Sequence, residues 1–131
     1  WRAAGKRLAL GVAVVFTLAG ANSVASAQSL TITALGDSLT QGYGLSQGEG
    51  LVPQLQAWLD ARGHDVTLIN AGVSGDTTTG GLSRLDWTLS DRPDAMIVAL
   101  GGNDLLRGID PALSRQNLDA ILARLVLDVI T

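Results

Sequence analysis

Ser38 lies in the stretch ITALGDSLTQGYG, residues 32–44, where an apolar run gives way to glycine-rich chain. A serine hydroxyl so placed can attack a carbonyl carbon if a base takes its proton and donors receive the charge developing on oxygen. Candidate donors follow at two further points. In NAGVSG, residues 70–75, Gly75 has no side chain, so a substrate oxygen can come close to its backbone N–H. In GGND, residues 101–104, Asn103 carries a side-chain amide that can donate. Ser38 itself is expected to open a helical turn, with its N–H turned to the same place. A nucleophile ringed by such donors is an oxyanion-hole arrangement, suited to acyl transfer through a tetrahedral intermediate.

Each residue also has a plain structural reading. A serine after a strand caps a helix, Gly75 serves a turn, and Asn103-Asp104 caps the next segment. Their coincidence on successive strand ends favours chemistry. Other candidates are weaker. Gly44-Leu45-Ser46-Gln47-Gly48 matches G-x-S-x-G, but that motif works only on a sharp strand-to-helix turn, and no apolar strand precedes Ser46. Ser74 lacks the second spaced glycine, and neither nucleotide-phosphate glycine motif is present.

The general base is harder to find. His64, the one histidine, falls in RGHDV between an amphipathic helix and the strand after it. That is the amino end of the strand, whereas the donors gather at carboxyl ends. A strand of about six residues spans roughly 20 Å, and a base must sit about 3 Å from the proton it takes. His64 reads as a solvated loop residue.

The elements that must position these residues alternate along the chain. LTITAL (30–35), DVTLIN (65–70) and AMIVAL (95–100) read as short buried strands, each running into small polar residues. Between the first two, residues 51–62 place Leu51, Val52, Leu55, Trp58 and Leu59 on one helical stripe. Residues 77–90 carry Leu82, Leu85 and Leu89 at helical spacing, with a ragged start at Gly80-Gly81. Asp110-Pro111 gives an N-cap followed by proline in the first turn, opening a helix with Leu118, Ile121, Leu122, Leu125 and Val129 on one face. Strand alternating with helix makes an α/β protein with a parallel sheet and crossover helices. In such sheets ligands bind beyond the carboxyl ends of the strands, near a switch in strand order.

Composition bounds the partners. Residues 1–27 read as a secretory signal peptide: Arg2, Lys6 and Arg7, then an apolar stretch over 8–21, then Ala25-Ser26-Ala27 for cleavage. The apolar stretch is short for a bilayer, which takes about 20 residues, so no stable membrane anchor is expected after cleavage. Removing the leader leaves six basic residues against twelve acidic ones, a net charge of −6. That argues against nucleic acid as a partner and for a small-molecule substrate. Zero cysteines exclude disulfides and thiol chemistry. The expected location is periplasmic or secreted, and no second domain or repeat is visible.

GDSLTQGYG, NAGVSGDTT and LGGNDLLRG, in this order and at these separations, resemble the first three conserved blocks of the GDSL (SGNH) hydrolase superfamily. The likeness is strongest to its small exported bacterial arylesterases and multifunctional thioesterase/lysophospholipases, and it covers residues 30–131. The resemblance implies a three-layer flavodoxin-like (SGNH) fold with strand order 2-1-3-4-5, of which this chain carries the first three strands. It implies Ser38 as nucleophile, with oxyanion donors from the Ser38 and Gly75 N–H groups and the Asn103 side chain. Asp37 and Asp104 match positions that hold the loops. No metal or organic cofactor is implied.

In that family a histidine and an aspartate follow in a D-x-x-H block near the carboxyl terminus. No D-x-x-H occurs in this sequence. The expectation is therefore an N-terminal part of such a domain, residues 28–131, almost inactive alone. The expected substrates are a small ester, thioester or lysolipid. The rival readings are a carbohydrate deacetylase of the same superfamily and a non-catalytic module that binds a small ligand on the same rim.

Overall fold

The structure, a computed structural model, describes residues 29–130, with side chains as far as residue 126. The leader expected over residues 1–27 and the side chain of Val129 lie outside the described residues.

Three parallel strands form the sheet: β1 (Leu30–Gly36), β2 (Val66–Gly72) and β3 (Ala95–Ala99), in the order β2-β1-β3. Leu30 pairs with Val66 through to Gly36 with Gly72, and Ile32 pairs with Ala95 through to Gly36 with Ala99. β1 is thus the central strand, and its last four residues are buried. This agrees with the first three strands of the order expected from the resemblance.

The crossovers run in opposite directions from β1 to β2 and from β2 to β3. Right-handed connections must then put their helices on opposite faces. Helices α1 (Ser38–Gln41) and α2 (Leu51–Asp60) lie against β1 and β2. Helices α3 (Thr78–Ser83), α4 (Leu85–Thr88) and α6 (Pro111–Ile130) pack on the other face, with the short α5 (Gly102–Leu106) leading into α6.

The core sits on that second face. Leu35, Leu85 and Ile121 are buried at 0–2% exposure, with Leu82, Leu89, Met96, Val98, Leu100, Leu118 and Leu125 packed around them. Burying such a side chain contributes about 1.5–3 kcal/mol. On β3 the alternation shows cleanly: Met96 and Val98 turn into this core, while Ala95, Ile97 and Ala99 face outward and are exposed. Among the described residues nothing covers that outward face or pairs with the far edge of β3.

Two expectations from the sequence need correction. The helix expected over 77–90 is broken in two at Arg84, which has φ −108° and serves as C-cap of α3 and N-cap of α4. Arg84 is drawn inward, donating from Nε to Asp76 at 2.6 Å and from Nη2 to the Gly36 carbonyl at 3.1 Å. The stripe on α2 is also rotated. Val52, Leu55 and Leu59 are sheltered, but Leu51 and Trp58 are about half exposed, at 51% and 49%. Gln56 faces inward instead, donating to the Val66 carbonyl at 2.8 Å and accepting from the Leu68 N–H at 2.7 Å. It occupies backbone groups along the outer edge of β2, which would otherwise be unpaired.

Asp110 caps α6 as expected, its carboxylate accepting from the Ala112 N–H at 2.9 Å. No described helix is long and apolar enough to cross a membrane.

Candidate active site

Between β1 and β3 the chain leaves the sheet in opposite directions, which makes their carboxyl ends the switch point of the sheet. The loops after β1, β2 and β3 meet there.

The first loop turns straight into α1. Asp37 is its N-cap, accepting from the Leu39 N–H at 3.0 Å, so Ser38 takes the first helical position. The Ser38 side chain is half-buried, and neither its hydroxyl nor its N–H has a partner among the described residues. An N–H at that position has no helical acceptor, so it is available to an anion.

The second loop is a tight turn. The Val73 carbonyl accepts from the Asp76 N–H at 3.1 Å, and Gly75 has φ +81°. A positive φ at the third position, following a Ser74 with ordinary φ, defines a type II turn, where glycine is strongly favoured. Val73 N–H goes to the Gly36 carbonyl at 3.0 Å and Ser74 N–H to the Gln41 side chain at 2.9 Å. That leaves the Gly75 N–H unpartnered among the described residues. The turn packs closely on the first loop: a Cβ on Gly72 would overlap the backbone of Thr40 and Gln41.

The third loop brings Asn103. Its Nδ2 donates to the Asp76 carbonyl at 2.8 Å, next to Gly75, and lies 3.4 Å from the Asp37 carboxylate, next to Ser38. The first bond fixes the amide. The second is long, so the remaining hydrogen stays free to turn to a better acceptor. Asn103 therefore ties the three loops together, bringing the immediate neighbours of Ser38 and Gly75 onto a single side chain.

Asp104 points the other way and is 2% exposed. It accepts from the Thr78 N–H at 2.8 Å, the Thr78 hydroxyl at 2.6 Å and the Ser114 hydroxyl at 3.0 Å. Burial disfavours its charge, but the bonds from Thr78, Ser114 and its own backbone outweigh this and hold its pKa below the ordinary 3.8. Asn117 extends the cluster, donating to the hydroxyls of Thr78 and Thr79 at 3.0 and 2.9 Å. Sequence reasoning passed over Ser114 and Asn117. The available signal was polar side chains at helical spacing along the inward stripe of Leu118, Ile121 and Leu125.

The remaining candidates lie elsewhere. His64 is exposed just before β2 and stacks on Trp58, with ring centroids 6.5 Å apart. Arg62 lies over the same indole, 3.7 Å from its centroid. Ser46 sits in a loop turn, its N–H bonded to Glu49 at 3.2 Å, with no strand before it. Tyr43, Leu45 and Leu106 are 75%, 56% and 83% exposed. A cleft of about 550 Å³ runs between α5 and α6, lined chiefly by Leu105, Ile109, Pro111, Leu118 and Leu122. Neither Ser38 nor Gly75 lines it, so it flanks the donors and does not contain them. Among the described residues no cluster of His, Asp and Glu is placed to hold a metal.

An α/β sheet with this order and these loops is matched in known proteins. The family model of the GDSL-like Lipase/Acylhydrolase family fits residues 34–128, and the chain belongs to that family. Esterase TesA of Pseudomonas aeruginosa is 44% identical over 95 residues, covering 72% of this chain and 46% of that protein. The arylesterase of Vibrio mimicus is 40% identical over 102 residues, covering 77% and 51%. The crystal structure of AlinE4, an SGNH-hydrolase family esterase, superposes with a TM-score of 0.71 at 51% identity, covering 75% of this chain and 53% of that one. The chain thus spans about half the length of the relatives it matches.

Proposed function

We propose that the chain carries the nucleophile and oxyanion donors of a serine esterase that cleaves carboxylic esters or thioesters through an acyl-serine intermediate. Ser38 Oγ attacks the acyl carbon while the carbonyl oxygen gains charge. The Ser38 N–H, the Gly75 N–H and the Asn103 amide receive that charge. Collapse of the tetrahedral species expels the alcohol or thiol, and water then attacks the acyl-serine to release the acid. Both attacks need a base, and His64 is too far along the fold to be it. The proton transfers therefore belong to a histidine outside the described residues.

The observation that supports this reading most is the position of Asn103, bonded to the carbonyl beside Gly75 and close to the carboxylate beside Ser38. The substrate class follows the printed names of the relatives, which are esterases, an arylesterase and a thioesterase/lysophospholipase. The basic and apolar residues before Gln28 support export to the periplasm or beyond.

The test is covalent labelling. In the enzyme expressed from its complete reading frame, a fluorophosphonate is expected to modify Ser38 stoichiometrically, and Ser38→Ala is expected to abolish both labelling and p-nitrophenyl ester hydrolysis. Labelling of a different serine, or full turnover by Ser38→Ala, overturns the reading.

A further inference from the structure

The Gly75 turn is held by side chains from both of its neighbouring loops. Gln41, the last residue of α1, accepts the Ser74 N–H on its Oε1 at 2.9 Å. Arg107, at the C-cap of α5, donates from Nη2 to the Gly75 carbonyl at 2.7 Å. These two bonds grip the peptide groups on either side of the one that carries the Gly75 N–H. With the Asp76 N–H taken by Val73 and the Asp76 carbonyl by Asn103, the turn cannot swing without breaking a bond at either end.

We infer that Gln41 and Arg107 are positioning residues, a clamp that aims the Gly75 N–H at the developing oxyanion; this rests on the serine-esterase reading above. The physical need is specific. Gly75 is conformationally permissive, so the turn alone does not fix the direction of its N–H. A type II turn and its mirror-related alternatives differ by rotation of the central peptide, which reverses that N–H. Rotation would carry the Ser74 N–H and the Gly75 carbonyl with it through the adjoining dihedral angles, away from Gln41 and Arg107. The guanidinium adds a second effect: its charge draws electron density from the Gly75 peptide and lies on the same loop as the donors. Both side chains are exposed and pack against no core residue of the described chain, so their role is not one of filling space.

The test uses the enzyme from its complete reading frame with a p-nitrophenyl ester as substrate and a phenylboronic acid as probe. The boronate adds to Ser38 and places a tetrahedral oxygen among the donors. Gln41→Ala and Arg107→Ala are each expected to lower kcat by roughly 10- to 100-fold, less than the loss from deleting a donor outright, which is about 10²–10³. KM is expected to stay within about twofold, since the clamp serves the charged intermediate more than the bound ester. Boronate affinity is expected to fall in proportion to kcat/KM, and Arg107→Lys to recover part of it. Gln41→Asn and Arg107→Lys provide folded variants if the alanine forms melt early. Unchanged kcat and boronate affinity in these variants, or a loss confined to KM, overturns the clamp. Ser38→Ala, run beside them, separates the two ideas: activity surviving there defeats the esterase reading itself.

Discussion

Thr78 gives both its backbone N–H and its hydroxyl to the carboxylate of Asp104, at 2.8 and 2.6 Å. The two residues stand at the start of α3 and in the first turn of α5, so this pair joins the element after the Gly75 turn to the element that carries Asn103. The carboxylate is buried and charged, and it is stable in that form because donors surround it.

The pH dependence of stability follows. The folded pKa of Asp104 lies below its ordinary value of 3.8. A depressed folded pKa means that its contribution is complete above about pH 4 and is lost as pH falls through the folded value. Asp104→Asn is expected to destabilise the enzyme at pH 7 by about 1.5–3 kcal/mol, the range for hydrogen bonds to a charged group. The difference from the parent is expected to narrow in acid. Urea melts at pH 7 and near pH 3 check both; a difference that is constant with pH refutes the account.

Asn103→Ala is expected to lower kcat by about 10²–10³ with a small change in KM, as for loss of one preorganised oxyanion donor. The Asp76 carbonyl loses its partner at the same time, so a modest drop in melting temperature is expected too. Steady-state kinetics and a thermal melt on the same preparation separate the two effects.

His64→Gln is expected to leave kcat and the pH profile of kcat/KM unchanged. His64 lies at the amino end of β2 against Trp58, a strand length from Ser38. A pH–rate profile that loses its lower limb in this variant would place the base where the fold says it is not.

Residues 28–131 expressed alone are expected to hydrolyse p-nitrophenyl acetate no better than about 10³–10⁴ over water, the residue left when a triad member is missing. The same polypeptide is expected to self-associate. β3 offers an unpaired edge, and Ile97 is exposed on its open face. Size-exclusion chromatography checks this: a monodisperse, cooperatively melting species counts against it.

Much of this arrangement could be read from the sequence because its signals are local. The three strands, the cap at Asp110 and the glycine-marked turns each rest on a few adjacent residues. The break at Arg84 could not be read, since its cause is a pair of acceptors, Asp76 and the Gly36 carbonyl, distant in sequence or on another element. Gln56 was hidden for the same reason: helical periodicity counts glutamine as outward, while an edge strand rewards turning it in. Gln41 and Arg107 show no signal at all in one dimension, because each acts on a turn more than thirty residues away.

Every bond that aims the donors is made between residues 37 and 107, before the last helix begins. The receptor for the reaction's negative charge is therefore shaped by an early, contiguous run of chain, independently of whatever later segment brings the proton acceptor. Synthesis from the amino end would complete the cradle first and its chemistry afterwards, so an emerging polypeptide holds a finished anion site before it can turn anything over.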